Sequence, residues 1–276
     1  MTAAGESRIG VALLRAGLLC VLVFMAAPIV IVVVNSFNAS PFNIWPPTGL
    51  TTSWYAKALA SPQFQRGMVN SVIAGVLSTA LVLVLGTPAA YALARFHFRG
   101  ASAVRAILMG PLVVPRVAIG FALFVLFIAS RSGLYGSMTG IVLGHAVLML
   151  PFVTTVLAAN LGEIDPALEE AARDLGASPV GAFLRVVLPQ MRSGLIIAGL
   201  FAFITSFDEV ETTIFLTKPA VNTLPIEMYL YLDQYQDPTI AALSALLIGV
   251  SFLLLGVGLA ATGRGSLRLL LGGRAS

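Results

Sequence analysis

The sequence predicts an all-α integral membrane protein with six spanning helices. Three observations carry this reading. The chain is 58% hydrophobic and 10% charged, where soluble domains carry about 25% charged residues. Six apolar runs reach or exceed the roughly 20 residues a helix needs to cross a bilayer. The Lys and Arg residues are sorted between the loops by side. The whole chain, residues 1–276, reads as a single transmembrane domain.

Taken in order, a short polar start carrying Arg8 leads into the first span, Val11 to Val34. That run is too long for a signal peptide and has no small-x-small cleavage site near its end. A polar loop over residues 35–66 follows, rich in Asn, Ser and Pro, with Trp45, Trp54 and Tyr55 suited to the headgroup level. The remaining spans are Met68 to Ala94, Ile107 to Ala129, Ser137 to Leu161, Gly194 to Leu216 and Ile240 to Ala261. A basic loop at residues 95–105, with His97 as a solvated loop residue, separates the second and third spans. A charged loop at 162–192 separates the fourth and fifth. A second long polar loop covers 217–238, and the tail GRGSLRLLLGGRAS is basic.

Six spans put both termini on one side, and charge says which. The terminal segments, the 95–105 loop and the 162–192 loop hold eleven arginines. The other face holds only Lys57, Arg66, Arg131 and Lys218, and Arg116 is left inside the membrane. Excess Lys and Arg mark cytoplasmic loops. The N- and C-termini and the 162–192 loop are therefore expected in the cytoplasm, and the protein in a lipid bilayer as a multi-pass chain. No basic run exists to form a phosphate stripe, so nucleic-acid binding is not expected. One cysteine, Cys20, excludes an internal disulfide.

The loop is organised by the stretch Glu163 to Pro189, which carries seven charges, a quarter of the chain's total. Asp165 is a good N-cap, and Pro166 fits the first helical position, where a missing N–H costs nothing. Gly176 suits the left-handed residue that ends a helix. Ser178 and Pro179 repeat the cap-and-proline signal, so a second short helix is expected to about Leu188. Within this stretch Glu170-Ala171-Ala172 is followed by Gly176 and then by Val186-x-Leu188-Pro189. That order resembles the EAA loop of permease subunits in ABC importers, departing only in Val186 for isoleucine.

The resemblance implies the type I importer fold: six transmembrane helices with a cytoplasmic coupling helix, in the inner (plasma) membrane of a bacterium. It implies three partners: a second homologous permease subunit, a dimer of ABC ATPases and an extracytoplasmic solute-binding protein. Glu169, Glu170, Ala171, Ala172, Gly176, Leu188 and Pro189 would then couple the chain to the ATPase. ATP and Mg would be bound by that partner, with no cofactor or metal in this chain. The residues agree, since no G-x-x-x-x-G-K-[ST] loop exists to cradle phosphates. No H-E-x-x-H, Cys–His cluster or G-x-S-x-G exists either, so no catalytic residues are assigned and no enzyme is expected.

A charge at the bilayer centre costs at least about 2.5 kcal/mol, so each one is read as functional by default. In the fifth span Asp208 and Glu211 stand three apart and share a helical face, with Glu209 pointing elsewhere. They read as a cation-attracting patch on a substrate pathway. Two words of the first loop, Asn35-Ser36-Phe37-Asn38 and Trp54-Tyr55, are similar to the polyamine-type (spermidine/putrescine) branch of these permeases. So are the Leu224-Pro225 that follows the acids and His145, which reads either as a pathway residue or as a hydrogen-bonded packing residue. Arg116, which follows Pro115 at a break in the third span, departs from that branch, which has an acid after the proline. Unless Asp208 or Glu211 pairs with it, a fixed cation repels a polycation. It would equally hold a carboxylate bidentately, which suits a zwitterion such as an amino acid or aminophosphonate. Polyamine and zwitterion are the two leading solute classes, with iron or sulfate behind them. An ATP-independent secondary transporter is a third reading; it also keeps acids in the membrane but has no need of the EAA spacing.

Overall fold

The computed structural model describes residues 8–96 and 98–261. His97 and the basic tail lie outside the described residues. Among the described residues the regular structure is helical, apart from one isolated antiparallel bridge between Asn38 and Leu50. Three helices are long and apolar enough to cross a membrane, or five if each of two bent pairs counts as one span. The apolar stretch Thr239–Leu253 is shorter. The chain divides into two compact units, Pro62–Tyr229, and Met1–Ser61 with Leu230–Ser276.

The first unit is built on α3 (Pro62–Arg95), α6 (Met138–Gly162) and α10 (Arg192–Phe207). Lipid is as apolar as leucine, so helices associate there by close approach and dispersion. The contact faces supply that: Ser71, Ala74, Gly75, Ser78, Gly86 and Ala90 are buried on α3, and Gly194, Ala198, Ala202 and Ser206 on α10. Gly75 is required, since a Cβ there would lie 2.8 Å from the Phe203 ring. Between these faces sit Val82, Met149, Val153, Leu157, Leu161 and Met191. In α6, 61% of the most apolar eighteen-residue stretch is buried, which makes it the central helix of this unit.

Two expected spans are broken. The third is α4 (Ala101–Val113) and α5 (Arg116–Ala129), bent by 107°. Pro115 causes the break: it has no N–H, and it forces Val114 to an extended conformation with φ −85° and ψ 133°. The fifth was expected to be continuous from Gly194 to Leu216. Instead α10 ends at Phe207, residues 208–212 are irregular, and α11 is a single turn, Thr213–Leu216. The shared helical face assigned to Asp208 and Glu211 therefore does not exist.

The charged loop follows its local signals. Helix α7 (Pro166–Asp174) starts where Asp165 Oδ1 accepts the Ala167 N–H at 3.0 Å. Ser178 caps α8 (Pro179–Ala182) by accepting from Gly181 N–H at 3.1 Å. A π-helical turn, Phe183–Val187, carries α8 into α9 (Leu188–Gln190), and the backbone then turns by 72° into α10.

The second unit holds α1 (Arg8–Asn35), α2 (Ser53–Ala60) and α13 (Thr239–Ala261), with α1 and α2 each packed on α13. Helix α12 (Leu224–Gln234) runs from one unit into the other. The first loop is tied into a knot by its polar words. Ser36 Oγ and the Tyr55 hydroxyl lie 2.6 Å apart, and Trp54 Nε1 donates to the Asn38 carbonyl at 2.7 Å. Asn38 Oδ1 accepts the N–H groups of Ser40 and Thr48. Trp54 and Tyr55, expected as interfacial anchors, thus also close the loop.

Candidate functional site

The break after α10 brings four elements of the first unit together. Glu209 is 2% exposed, and both its carboxylate oxygens are used. Oε2 accepts from Arg116 Nη1 at 2.8 Å, across 93 residues of chain, and Oε1 accepts the Thr212 N–H at 2.9 Å. Thr212 Oγ1 donates back to the Arg116 carbonyl at 3.1 Å. A Cβ on Gly120 would lie 2.9 Å from Thr212 Cα, so α5 and the irregular segment touch backbone to backbone. A buried carboxylate is tolerated when paired and hydrogen-bonded. Leaving the helix at Asp208 lets one acid meet both conditions.

His145 on α6 closes the network. Thr213 Oγ1 spends its only proton on the Glu209 carbonyl at 2.8 Å. It must therefore accept from His145 Nε2–H, 2.8 Å away, and His145 Nδ1 accepts from the Ser206 hydroxyl at 2.7 Å. The ring is a packed cross-brace, 1% exposed, between α6, the end of α10 and α11. Asp208 and Glu211 do the opposite. Both are exposed, and neither side chain has a hydrogen-bonding partner among the described residues. The arginine's partner is thus Glu209, and not Asp208 or Glu211 as the sequence invited.

At the other end of this unit, none of the residues of α7 is buried. Leu168 is 48% exposed and Leu175 90%. Its root is held firmly. Ile164 and Leu161 are buried, and Arg95 Nη2 donates to the Ile164 carbonyl at 2.8 Å. The Tyr91 hydroxyl donates to Glu169. Glu169 therefore faces its own chain, while Glu170, Ala171 and Gly176 stay exposed and Ala172 is half-buried. Glu170, Arg173, Asp174, Ala177 and Pro179 line a shallow open groove. Leu188 is half-buried and Pro189 exposed at the turn into α10.

Residues 82–262 match the family of binding-protein-dependent transport system inner membrane components. This chain belongs to that family. As an inner membrane component of an ABC importer it is a transport subunit and not an enzyme, and ATP hydrolysis belongs to a separate subunit. The putrescine transport system permease protein PotI of Escherichia coli (strain K12) is 32% identical to it over 233 residues, 82% of each chain. The spermidine/putrescine transport system permease protein PotC of the same strain is 30% identical over 244 residues, 88% of this permease and 91% of PotC. A solved bacterial ABC transporter involved in the import of the acidic polysaccharide alginate superposes with a TM-score of 0.69 at 18% identity. It covers 94% of this permease and 98% of its own chain, which shows the shared fold.

The polar residues that brace the permease's broken helices, Ser206, Thr212 and Thr213, carry no signal in the sequence. Hydroxyls are ordinary in membrane helices, and their partners lie on other elements. Tyr91 and Arg95 are four apart on α3, which puts them on one face at the end nearest α7. That spacing was the one available cue to the root of the charged loop.

Proposed function

We propose that this permease forms, with a second homologous permease subunit, the membrane pathway of an importer for small cationic solutes of the polyamine class. In this reading six spans cross the inner membrane with both termini in the cytoplasm, and α7 docks in a groove of an ABC ATPase. A solute-binding protein delivers the amine at the opposite face. ATP-driven closure of two ATPases draws the coupling helices together and biases the pathway from inward- to outward-facing.

The observation that carries the substrate class is the Arg116–Glu209 ion pair at 2.8 Å. The fixed cation that would repel a polyamine is neutralised within the chain. Asp208 and Glu211 are left exposed as net negative charge beside it. The permease names of PotI and PotC support the same class. A zwitterion is the second reading, favoured by the Arg116 side chain, which stays 50% exposed and keeps donors for a carboxylate.

Vesicles reconstituted with all partners test this. Charges in a water-poor cavity interact several-fold more strongly than in water, so Asp208→Asn and Glu211→Gln should each cut putrescine uptake about ten-fold, while the ATPase still co-purifies. Full uptake by the doubly neutralised variant would make both acids structural. Thermal shifts of the solute-binding partner, screened across polyamines and zwitterions, should respond to polyamines; a response to zwitterions alone would overturn the class.

Orientation has its own test. In a Cys20→Ala background, Thr52→Cys and Ala220→Cys, both at exposed positions, should react with an impermeant maleimide added to intact cells. Asp174→Cys, equally exposed, should react only after lysis. The reverse pattern would overturn the orientation.

A further inference from the structure

Within the smaller unit, one lysine sits in a box of four side chains. Lys57 of α2 places Nζ 2.6 Å from Asp237 Oδ2. The same nitrogen lies 5.4 Å from the ring centre of Trp54, 5.7 Å from Tyr231 and 6.0 Å from Tyr235. The walls are built. The Tyr231 hydroxyl donates to Asp237 at 2.9 and 3.1 Å, and Thr239 N–H donates to it at 3.0 Å. The Asp237 side chain is 12% exposed and Tyr231 7%, while the Tyr231 and Tyr235 rings lie 4.6 Å apart.

With 49% of its side chain exposed, Lys57 is less enclosed than Asp237 or Tyr231, and Tyr235 is as open as the lysine at 50%. The Asp237 hydrogen bond raises the lysine above its ordinary 10.5. Burial alone would raise Asp237, but the hydrogen bonds from Lys57, Thr239 and Tyr231 outweigh it and hold the carboxyl below its ordinary value, so both groups are charged at neutral pH. A surface ion pair gains little by itself. Three aromatic rings around a half-buried carboxylate are the construction that binds alkylammonium groups.

We propose that Trp54, Tyr231, Tyr235 and Asp237 form a recognition site for primary ammonium groups, kept filled by Lys57 until the ammonium end of an incoming amine takes its place. The proposal rests on the amine-importer reading for the natural ligand only, and not for whether the box binds an ammonium. A tethered lysine competes at an effective concentration on the order of millimolar. The site would therefore hold an amine weakly and release it readily, as a step on a transport route must.

The test uses the full-length chain in detergent, with Trp45→Phe so that Trp54 is its one remaining tryptophan. Putrescine is titrated against Trp54 emission, with sodium chloride at matched ionic strength as control. Lys57→Met should bind putrescine about ten-fold more tightly than the parent. Lys57→Arg should show no gain, because a guanidinium keeps the box filled. Asp237→Asn added to Lys57→Met should remove the gain. If Lys57→Met lowers the unfolding temperature, putrescine and not sodium should restore it. Equal affinities in the Met and Arg variants, or binding that survives Asp237→Asn, would overturn the proposal. Loss of putrescine uptake in the whole importer, with ammonium binding intact, would overturn the substrate reading instead.

Discussion

Gly176→Val should leave the permease inserted and folded, yet cut import and the substrate-stimulated hydrolysis of ATP by its partner about ten-fold. Gly176 has φ +94°, and nothing lies within 4 Å of a Cβ added there. Space is therefore not the issue; backbone conformation is. The glycine ends α7 in a Schellman motif, with Ala177 N–H bonded to the Ala172 carbonyl at 3.0 Å and Gly176 N–H to the Arg173 carbonyl at 2.9 Å. A β-branched residue in this conformation costs about 1–2 kcal/mol. That reduces the population of this α7–α8 geometry about ten-fold. Because α7 is exposed, the strain is relieved by re-aiming the helix and not by unfolding the bundle. Glu170→Lys should give the same phenotype by another route, since Glu170 is exposed and reversing its charge disturbs nothing inside the chain. Uptake in reconstituted vesicles and ATPase co-purification are the measurements. Wild-type transport by both variants would remove α7 from the coupling role.

The second large effect is expected at the Arg116–Glu209 pair. Arg116→Gln strands a carboxylate that is 2% exposed and retains only the Thr212 N–H. Breaking a fully buried pair costs about 3–5 kcal/mol. Half of the arginine side chain is exposed, so the expected loss here is on the order of 2 kcal/mol. Folded yield and uptake should both fall. Adding Glu209→Gln removes the stranded charge, so the double variant should recover most of the lost stability, a coupling that a double-mutant cycle reads directly. Uptake separates the two solute classes. A polyamine pathway should recover along with stability, because Asp208 and Glu211 remain. A pathway that holds a substrate carboxylate on Arg116 should stay inactive in the double variant however stable it becomes.

The two sites differ in how far the amino-acid order reveals them. Asp165, Pro166, Gly176, Ser178 and Pro179 act on backbone groups within a few residues of themselves. Caps, a proline start and a positive-φ stop are local chemistry, so the short helices of the 162–192 loop were legible residue by residue. The EAA spacing placed the chain in its family for the same reason: a rigid local motif survives in one dimension. The break at Pro115 was legible too, because a proline removes a donor wherever it stands. The fifth span was misread because its carboxylates were placed by helical periodicity. Periodicity holds only while the backbone stays helical, and here it stops at Phe207.

By itself, then, the sequence determined the membrane class, the capped short helices of the 162–192 loop, the break before Arg116 and the set of charged residues within the apolar runs. Tertiary structure alone decided which acid meets the arginine, that His145 braces two elements through Ser206 and Thr213, and that Lys57 lies among Trp54, Tyr231, Tyr235 and Asp237. The physical reason is range. A cap or a proline is resolved by neighbours along the chain. A buried charge is stabilised by whichever opposite charge and N–H groups the packing delivers, and Glu209 found its arginine 93 residues away because the helix gave way to let it.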